Sequence, residues 1–203
     1  MNEVENSGVL PVVVTPLRLE DLDELMSLEQ ASFALPWPRS VYRYELTQNP
    51  NGYYLAVRPV ARFTTLPALL AYGGLWLLEE EAHICTLATH PSFRRHGLGE
   101  WLLLHLLDLS RSVGAERATL EVRASNLTAQ RLYRRTGFEQ TGVRRRYYSD
   151  NNEDALIMAT PSLRAPAMQR LLAQRRAIVS ARLRAWGREL MREHPSEAQA
   201  REV

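Results

Sequence analysis

The sequence predicts an α+β fold built on one mostly antiparallel sheet and followed by a long amphipathic helix. Short segments rich in β-branched and aromatic residues alternate with polar turns, as in antiparallel sheets. Other segments carry apolar residues at helical spacing. The 203 residues, of which 45% are hydrophobic, suffice for one well-buried domain with an appendage.

The composition excludes several classes of protein. A charged fraction of 24% is ordinary for a globular chain, and no apolar run reaches the roughly 20 residues that span a bilayer. The first fourteen residues include Glu3 and Glu5 and no basic residue, unlike a secretory signal, so we expect a cytoplasmic protein without a membrane partner. Cys85 is the only cysteine, which excludes an internal disulfide and a cysteine-based zinc site. Because His83 and His90 have no partner at ligand spacing, we expect no metal.

The first half of the chain alternates predicted strands and helices. We predict strands over 9–17, 53–57, 66–78 and 82–89, and helices over 20–33 and 39–46. Acidic residues begin the first helix, where the helix dipole favours them. Between the two helices, Phe33 to Pro38 forms a stiff aromatic loop, because each proline fixes its own φ and restrains the residue before it.

The second half opens with a helix that begins after Gly97. Its leucines at 102, 103, 104, 106, 107 and 109 leave little polar face, so we expect it to be largely buried. A strand over 118–122 and a helix over 127–136 follow, and Gly137 stands where a helix end favours a left-handed residue. Segments 138–143 and 155–160 complete the sheet as a hairpin.

The last fifth of the chain differs in charge from the rest. All 25 basic residues are arginines, and residues 161–203 carry nine of them against four glutamates. We therefore divide the chain into a domain over 1–160 and an arginine-rich helical extension over 161–203. The apolar residues of 167–192 recur at steps of three, four or seven: Met168, Leu172, Val179, Leu183, Trp186 and Leu190.

This apolar stripe requires a packing partner. It could dock on its own domain, form a homodimer through 167–192, or fold on contact with ribosomal RNA. The first two alternatives are favoured, because an RNA role needs only charge whereas this helix places Trp186 and five aliphatic residues on one face.

The most informative motif follows the strand that ends near Thr89. The loop reads Arg94-x-x-Gly97-x-Gly99, and a helix starts inside it. Backbone N–H groups at such a helix start converge beside the positive end of the helix dipole, and glycine lets an anion approach the backbone, so a diphosphate fits. A Walker loop is excluded because the chain has no lysine, and a dinucleotide GxGxxG loop because Leu102 occupies the third glycine position.

Further motifs stand downstream at ordered spacings. They are Leu-Glu-Val-Arg-x-Ser-Asn at 120–126, Leu132-Tyr133, Gly137-Phe138, Arg146-Tyr147-Tyr148 and, upstream, Phe33-x-x-Pro36-Trp37. Together with the loop motif, this set resembles the GCN5-related N-acetyltransferase (GNAT) superfamily and, within it, the bacterial ribosomal-protein alanine N-acetyltransferases. The resemblance covers roughly residues 10–160. It implies a mixed, mostly antiparallel central sheet flanked by helices, acetyl-CoA as cosubstrate, and direct acetyl transfer to a protein N-terminus.

The resemblance implies two catalytic residues. Glu121 would be the general base, since an amine of pKa about 8 must lose a proton before it attacks. Tyr133 would be the general acid that protonates the departing CoA thiolate. From the residues alone, Glu121 could instead form a salt bridge with Arg123 or Arg131, and Tyr133 could be a core residue that packs on Phe138.

The resemblance also implies the cosubstrate contacts. The backbone of Leu87, Ala88 and Thr89 would hold the acetyl carbonyl and the pantetheine arm. The pyrophosphate would be held by Arg94, Arg95, His96, Gly97, Leu98, Gly99 and Glu100. Asn126 would bind the pantetheine and cap its own helix, and Tyr133 would face the cosubstrate. Two positions depart from the family pattern: Thr89 replaces an aliphatic residue, and Glu100 adds a negative charge, whose side chain we expect to point to solvent.

The resemblance also implies that four aromatic residues contact the acceptor peptide: Phe33, Trp37, Tyr147 and Tyr148. For the two tyrosines, the alternative is that their rings only pack at the edge of the hairpin. Two other functions remain open. The same fold could acetylate lysine side chains or small amines, or the chain could be a non-catalytic acetyl-CoA-binding or ribosome-binding module in which Glu121 only pairs with arginines. DNA is not an expected partner.

Overall fold

The computed structural model describes residues 10–61, 63 and 65–193. Among these residues, seven strands form one sheet in the order β1-β2-β3-β4-β5-β7-β6. The strands are β1 Val12–Pro16, β2 Gly52–Pro59, β3 Ala71–Leu78, β4 Glu81–Thr89, β5 Arg117–Arg123, β6 Glu139–Tyr148 and β7 Glu153–Ala159. The helices are α1 Leu22–Ser32, α2 Arg39–Thr47, α3 Leu98–Ser112, α4 Leu127–Arg135 and α5 Pro166–Glu193.

Strand pairing is antiparallel except between β4 and β5. That parallel ladder contains only three residue pairs, from Glu81–Arg117 to His83–Thr119. Against β3, β4 contains one extra residue at Cys85, because Gly74 pairs with Thr86 while Leu75 pairs with Ile84. The predicted α+β class with a mixed, mostly antiparallel sheet is confirmed.

Helices cover both faces of the sheet. α1 and α2 cover one face, where Leu25, Tyr42 and Tyr72 are fully buried. α3 packs on β2, β3 and β4 across the other face, and α5 packs against α3. Because α3 is enclosed between the sheet and α5, its leucines at 102, 103, 104 and 106 have no exposed surface. The predicted burial of this helix is confirmed.

The extension helix docks on its own domain. All six predicted stripe residues are buried in the core cluster that contains α3: Met168, Leu172, Val179, Leu183, Trp186 and Leu190. This is one of the three alternatives that the sequence left open. A homodimer through 167–192 and the division of the chain at 160/161 stay predictions, and residues 194–203 of the extension lie outside the described residues.

Several boundaries differ from the predicted ones. The strand predicted over 66–78 begins only at Ala71, because residues 66–70 form a loop in which Leu69 and Leu70 are buried. The strand predicted over 9–17 spans Val12–Pro16, and residue 9 lies outside the described residues. A 3-10 turn at Leu19–Asp21 precedes α1. No helix in the described part of the chain combines the length and apolarity that crossing a membrane requires.

Candidate active site

The sheet opens into a groove where β4 and β5 separate. The ladder between them ends at His83 and Thr119, whereas β5 continues to Arg123 with only its other edge paired, to β7. The bulge at Cys85 bends β4 close to the same level. The resulting cavity has a volume of about 610 Å³ and is lined by residues from α1, the α1–α2 loop, β4, β5, α4 and the end of β6. An extended ligand arm could therefore enter between the two strands.

Glu121 lies on β5 at the base of this groove. Its neighbours Leu120 and Val122 are buried in the α3 core cluster, so the alternation of the strand directs the carboxylate to the opposite face. The side chain is only 8% exposed; Oε2 lies 3.2 Å from His83 Nε2, and Oε1 lies 3.2 Å from Arg144 Nη2. The carboxylate thus faces the cavity beside two side chains that hold it in place.

The predicted alternative partners of Glu121 are wrong. Arg123 pairs with Asp150 and Glu153 instead, with nitrogen-to-oxygen distances of 2.8 and 3.1 Å. Arg131 donates to the Thr128 hydroxyl at 3.3 Å. Neither arginine forms an ion pair with Glu121 within the described residues, because each contacts other side chains instead.

Tyr133 and Asn126 line the same groove from α4. Tyr133 is 8% exposed, its ring centre lies 5.7 Å from that of Phe138, and burial raises the pKa of its phenol, with a smaller contribution from Tyr148. The side chain therefore both packs in the core and lines the cavity. Asn126 Oδ1 accepts a hydrogen bond from the backbone N–H of Ala129 at 3.1 Å, which confirms the predicted helix cap.

Aromatic rings form much of the groove wall. They are Phe33, Trp37, Trp76, Tyr133, Tyr147 and Tyr148. Trp37 stacks on Trp76 with ring centres 6.1 Å apart, and Trp76 stacks on His83 at 6.0 Å. The α1–α2 loop is held by the buried Glu29, which accepts hydrogen bonds from Trp37 N at 2.7 Å and from Tyr42 Oη at 2.9 Å. Burial raises the pKa of Glu29.

The tyrosine pair at the end of β6 forms the opposite rim. Tyr147 is 45% exposed, and its ring is perpendicular to that of Tyr148 at 5.2 Å between centres. The guanidinium of Arg123 lies 3.8 Å above the Tyr148 ring. Burial raises the pKa of Tyr148 to about 12. Tyr147 is thus the more accessible of the two rings.

A polar clasp connects the β6–β7 turn to the start of α4. Glu153 accepts a hydrogen bond from the backbone N–H of Ser125 at 2.7 Å and pairs with Arg123. These hydrogen bonds, led by Ser125, lower the pKa of Glu153 to about 2. The clasp fixes the loop that presents Asn126 to the groove.

The predicted anion loop lies beyond the groove, between the end of β4 and the start of α3. Arg95 and Gly97 have positive φ values of 73° and 97°. Left-handed residues of this kind occur in the backbone turns whose N–H groups bind anions. A Cβ added at Gly99 would lie 3.0 Å from Thr89 Oγ1, so only glycine fits there without displacing a neighbour. Arg94 Nε donates to the carbonyl of Thr89 at 3.3 Å, which ties the loop to the strand.

The side chains of this loop do not all face a ligand. Leu98 is buried in the core, so it can offer only its backbone. Glu100 does not point to solvent, as predicted, but is 3% exposed in its side chain and pairs with Arg135 at 3.2 Å and Arg175 at 2.6 Å. The physical reason is that α4 and α5 each bring an arginine over the start of α3, which neutralises this carboxylate next to the anion loop.

Of the other residues predicted to contact the cosubstrate, some line the groove and some do not. Leu87 lines the groove, whereas Ala88 is buried in the cluster under α1 and α2. His96 stacks on Trp186 of α5 at 4.7 Å between ring centres. The structure therefore brings the catalytic and acceptor candidates together in one groove with Leu87 and Asn126, whereas Ala88, Thr89 and the pyrophosphate candidates lie outside its lining.

Several polar side chains in and beside the groove were not predicted from the sequence, and three of them bear on its chemistry. His83 and Arg144 contact Glu121, and only the strand register could have predicted both. Ser32 also lines the groove, and its buried hydroxyl has no hydrogen-bond partner among the described residues. Within the same residues, no cluster of three His, Cys, Asp or Glu side chains could hold a metal ion.

Comparisons with known proteins agree with this geometry. The profile of the Acetyltransferase (GNAT) family matches residues 22–138. A Bacillus subtilis (strain 168) protein, provisionally named a ribosomal protein bS18-alanine N-acetyltransferase, is 39% identical over 145 residues, covering 71% of this chain and 92% of its own length. The ribosomal protein bS18-alanine N-acetyltransferase of Escherichia coli (strain K12) is 34% identical over 150 residues, covering 73% and 96%.

Solved structures give the same result. The crystal structure of the ribosomal-protein-S18-alanine N-acetyltransferase from Escherichia coli superposes with a TM-score of 0.67 at 31% identity, covering 76% of this chain and 96% of that one. The NatC complex bound to Gag peptide and CoA shares the fold, with a TM-score of 0.65 at 24% identity over 74% of this chain and 98% of that one. About a quarter of this chain has no counterpart in the E. coli structure, and α5 lies beyond the residues that the family profile matches.

Proposed function

Because this chain belongs to the GNAT family of acetyltransferases, we propose that it transfers an acetyl group from acetyl-CoA to the α-amino group of a protein N-terminus. We propose a ribosomal protein with N-terminal alanine as the acceptor, which the names of the relatives support. The observation that carries the proposal is the groove between β4 and β5, which is lined by a buried carboxylate, a buried phenol and an aromatic wall. Such an acceptor implies a cytoplasmic enzyme.

The loop after β4 fits the phosphates of the cosubstrate. Its support is the left-handed backbone at Arg95 and Gly97 just before the start of α3, and the glycine at 99, where a side chain would meet Thr89. Arg94 and Arg95 add positive charge, and the negative charge of Glu100 is already paired. When bound, acetyl-CoA supplies an activated acetyl thioester. The backbone of Leu87 to Thr89 would orient the pantetheine arm along β4 toward the groove.

Glu121 would remove a proton from the acceptor. A protein N-terminus has a pKa of about 8, so at neutral pH it is mostly an ammonium group that cannot attack a carbonyl. A carboxylate within hydrogen-bond reach, directly or through one water, relieves this block. His83 and Arg144 hold the two Glu121 oxygens in the groove, and each oxygen keeps a second lone pair for the incoming amine.

Tyr133 would return a proton to the leaving sulfur. A thiolate of pKa about 8.5 accepts a proton from a phenol once the two groups share a short hydrogen bond. Since burial raises the pKa of Tyr133, the phenol keeps its proton throughout the neutral range. The C–S bond breaks as the amide C–N bond forms, and no covalent enzyme intermediate is required.

The aromatic wall would hold the first residues of the acceptor. Trp37 is fixed by its stack on Trp76 and by the Glu29 hydrogen bond to its backbone. Tyr147, on the opposite rim, presents an exposed ring. Two such rims can enclose an extended peptide while they exclude water from the reacting amine. The unpaired hydroxyl of Ser32 offers that peptide a hydrogen bond.

The test is an acetylation assay read by mass spectrometry on a peptide that begins with alanine. We expect acetylation at the α-amine, and a fall of about 10²-fold or more in kcat for Glu121→Gln and for Tyr133→Phe. Tyr44→Phe is a matched control, because Tyr44 is 52% exposed on α2, outside the groove lining. Full activity of both groove variants would refute the assigned roles.

The same assay separates the alternative functions. A second peptide has a blocked N-terminus and a free lysine, and a polyamine serves as a small amine. Preferred acetylation of either would identify a side-chain or small-amine acetyltransferase. Acetyl-CoA binding with no acceptor turned over from a broad panel would indicate a binding module instead.

A further inference from the structure

A row of polar side chains runs from Glu121 across β4 and β5 and leads out of the groove. Before the bulge, the register pairs His83 of β4 with Thr119 of β5. Residues two positions away on either strand share their face, which brings Glu81 and Glu121 into the same row. Thr119 Oγ1 donates to Glu81 Oε1 at 2.8 Å, His83 Nδ1 lies 3.3 Å from Thr119 Oγ1, and His83 Nε2 lies 3.2 Å from Glu121 Oε2. The four groups form one continuous chain of contacts.

The direction of these hydrogen bonds follows from counting hydrogens. The Thr119 hydroxyl has a single hydrogen, which it donates to Glu81, so it accepts from His83 and Nδ1 must carry a hydrogen. Nε2 then faces a carboxylate oxygen of Glu121. With no proton between them, two lone pairs face each other there, so the contact becomes favourable once Glu121 has taken a proton from the acceptor amine. This pair of side chains is therefore arranged to take up one proton in each turnover.

The proposed reaction produces such a proton. An ammonium group carries three hydrogens and the amide product keeps one; the thiol of CoA takes another, so one proton leaves the site in each turnover. We propose that His83, Thr119 and Glu81 carry this proton from Glu121 to the surface. Glu121 passes it to His83 Nε2, His83 releases its Nδ1 hydrogen to Thr119, and the Thr119 hydroxyl hydrogen passes to Glu81.

The surroundings of His83 suit this role. From β3, Trp76 stacks on the imidazole at 6.0 Å, which fixes the ring plane without adding charge. The charged groups that face this part of the row are Glu121 from β5, Arg144 from β6 and, beyond Thr119, Glu81 from its own strand. Glu81 is half-buried at the strand start beside the exposed Glu79 and Glu80, so the row ends at solvent.

His83 is therefore a positioning and proton-carrying residue that acts through Glu121, and the inference rests on the proposed function. The experiment measures kcat against pH for His83→Ala and Thr119→Val with the alanine peptide. We expect kcat to fall about 10-fold or more in low buffer, the KM for acetyl-CoA to stay constant, and added imidazole to restore His83→Ala. Thr119→Val keeps the shape of the side chain and removes only the hydroxyl. Thr141→Val, an exposed threonine on β6, is its control.

The outcomes separate the two proposals. If Glu121→Gln keeps full activity, the base assignment fails and the proton path fails with it. If Glu121→Gln is impaired while His83→Ala and Thr119→Val keep parental rates at every pH, the path alone is overturned. A loss in His83→Ala that is equal at all pH values and is not restored by imidazole also overturns it, because that pattern indicates a structural role.

Discussion

Trp186 is the residue through which the extension helix can be tested most directly. It lies on α5, is only 5% exposed, and packs on two rings of the segment after β4: His96 at 4.7 Å and Phe93 at 6.2 Å between centres. Replacing Trp186 by alanine removes the indole and leaves a cavity between α5 and this segment. The change therefore tests whether α5 is part of the core or an independent appendage.

The expected cost is large relative to the stability of a domain. A buried Trp→Ala substitution destabilises by about 3–5 kcal/mol, against a total of roughly 5–15 kcal/mol for a typical domain. For a chain of this size, 1 kcal/mol corresponds to a change of about 2–4 °C in Tm. We therefore expect Trp186→Ala to remain folded at 25 °C and to melt roughly 6–20 °C below the parent.

The assays are thermal unfolding, which gives Tm, and urea unfolding, which gives the free energy, both followed by fluorescence and circular dichroism. Ile178→Ala is the matched control, because Ile178 belongs to the same helix and is 42% exposed; it should cost well under half as much. Since His96 belongs to the anion loop, the folded Trp186→Ala protein should also show a raised KM for acetyl-CoA and an unchanged KM for the peptide. Equal stability of the two variants would refute the integration of α5 into the core.

Three further predictions concern single polar or glycine positions. The hydrogen bonds of Glu153 lower its pKa from 4.5 to about 2. The ionised carboxylate therefore stabilises the fold above about pH 4.5, and this stabilisation is lost as the pH falls toward 2. Glu153→Gln should make the free energy of unfolding depend less on pH between these two values. An unchanged acid profile would contradict this. Gly99→Ala should raise the KM for acetyl-CoA, because the new methyl group would meet Thr89 Oγ1 at 3.0 Å, whereas an unaltered KM would show that the loop adapts. Glu100→Gln should lower the free energy of unfolding in urea by roughly 3–5 kcal/mol, because it leaves the largely buried Arg175 without its charge partner. A decrease below 1 kcal/mol would contradict that pairing.

The fold was largely predictable because its hydrophobic periodicity is strong. The leucines of α3 leave this helix little polar face, so it must pack on a second apolar surface besides the sheet. The apolar stripe of α5 provides that surface. Boundaries were less predictable where tertiary contacts override local preference. Residues 66–70 are apolar enough for a strand, yet Leu69 and Leu70 are buried in a loop that precedes β3.

Only those parts of the candidate site that depend on a short sequence motif could be predicted from the sequence. The cap at Asn126 and the left-handed Gly97 follow from short-range sequence signals. The partners of Glu121 do not, because His83 and Arg144 come from strands that are adjacent in space and distant in sequence. From the residues alone, Arg123 or Arg131 was the alternative partner, but the turn acids Asp150 and Glu153 engage Arg123 instead.

Glu100 shows how the extension and the anion loop depend on each other. A carboxylate one residue after Gly99 would repel a diphosphate, but Arg135 and Arg175 neutralise it and draw it into the interior. Arg175 comes from α5, which also contacts the loop through the stack of Trp186 on His96. If the loop binds the cosubstrate as proposed, a ligand that binds the ordered loop also favours the docked helix, and the coupling acts in both directions. We then expect a change that loosens α5 to weaken cosubstrate binding, and bound cosubstrate to stabilise α5.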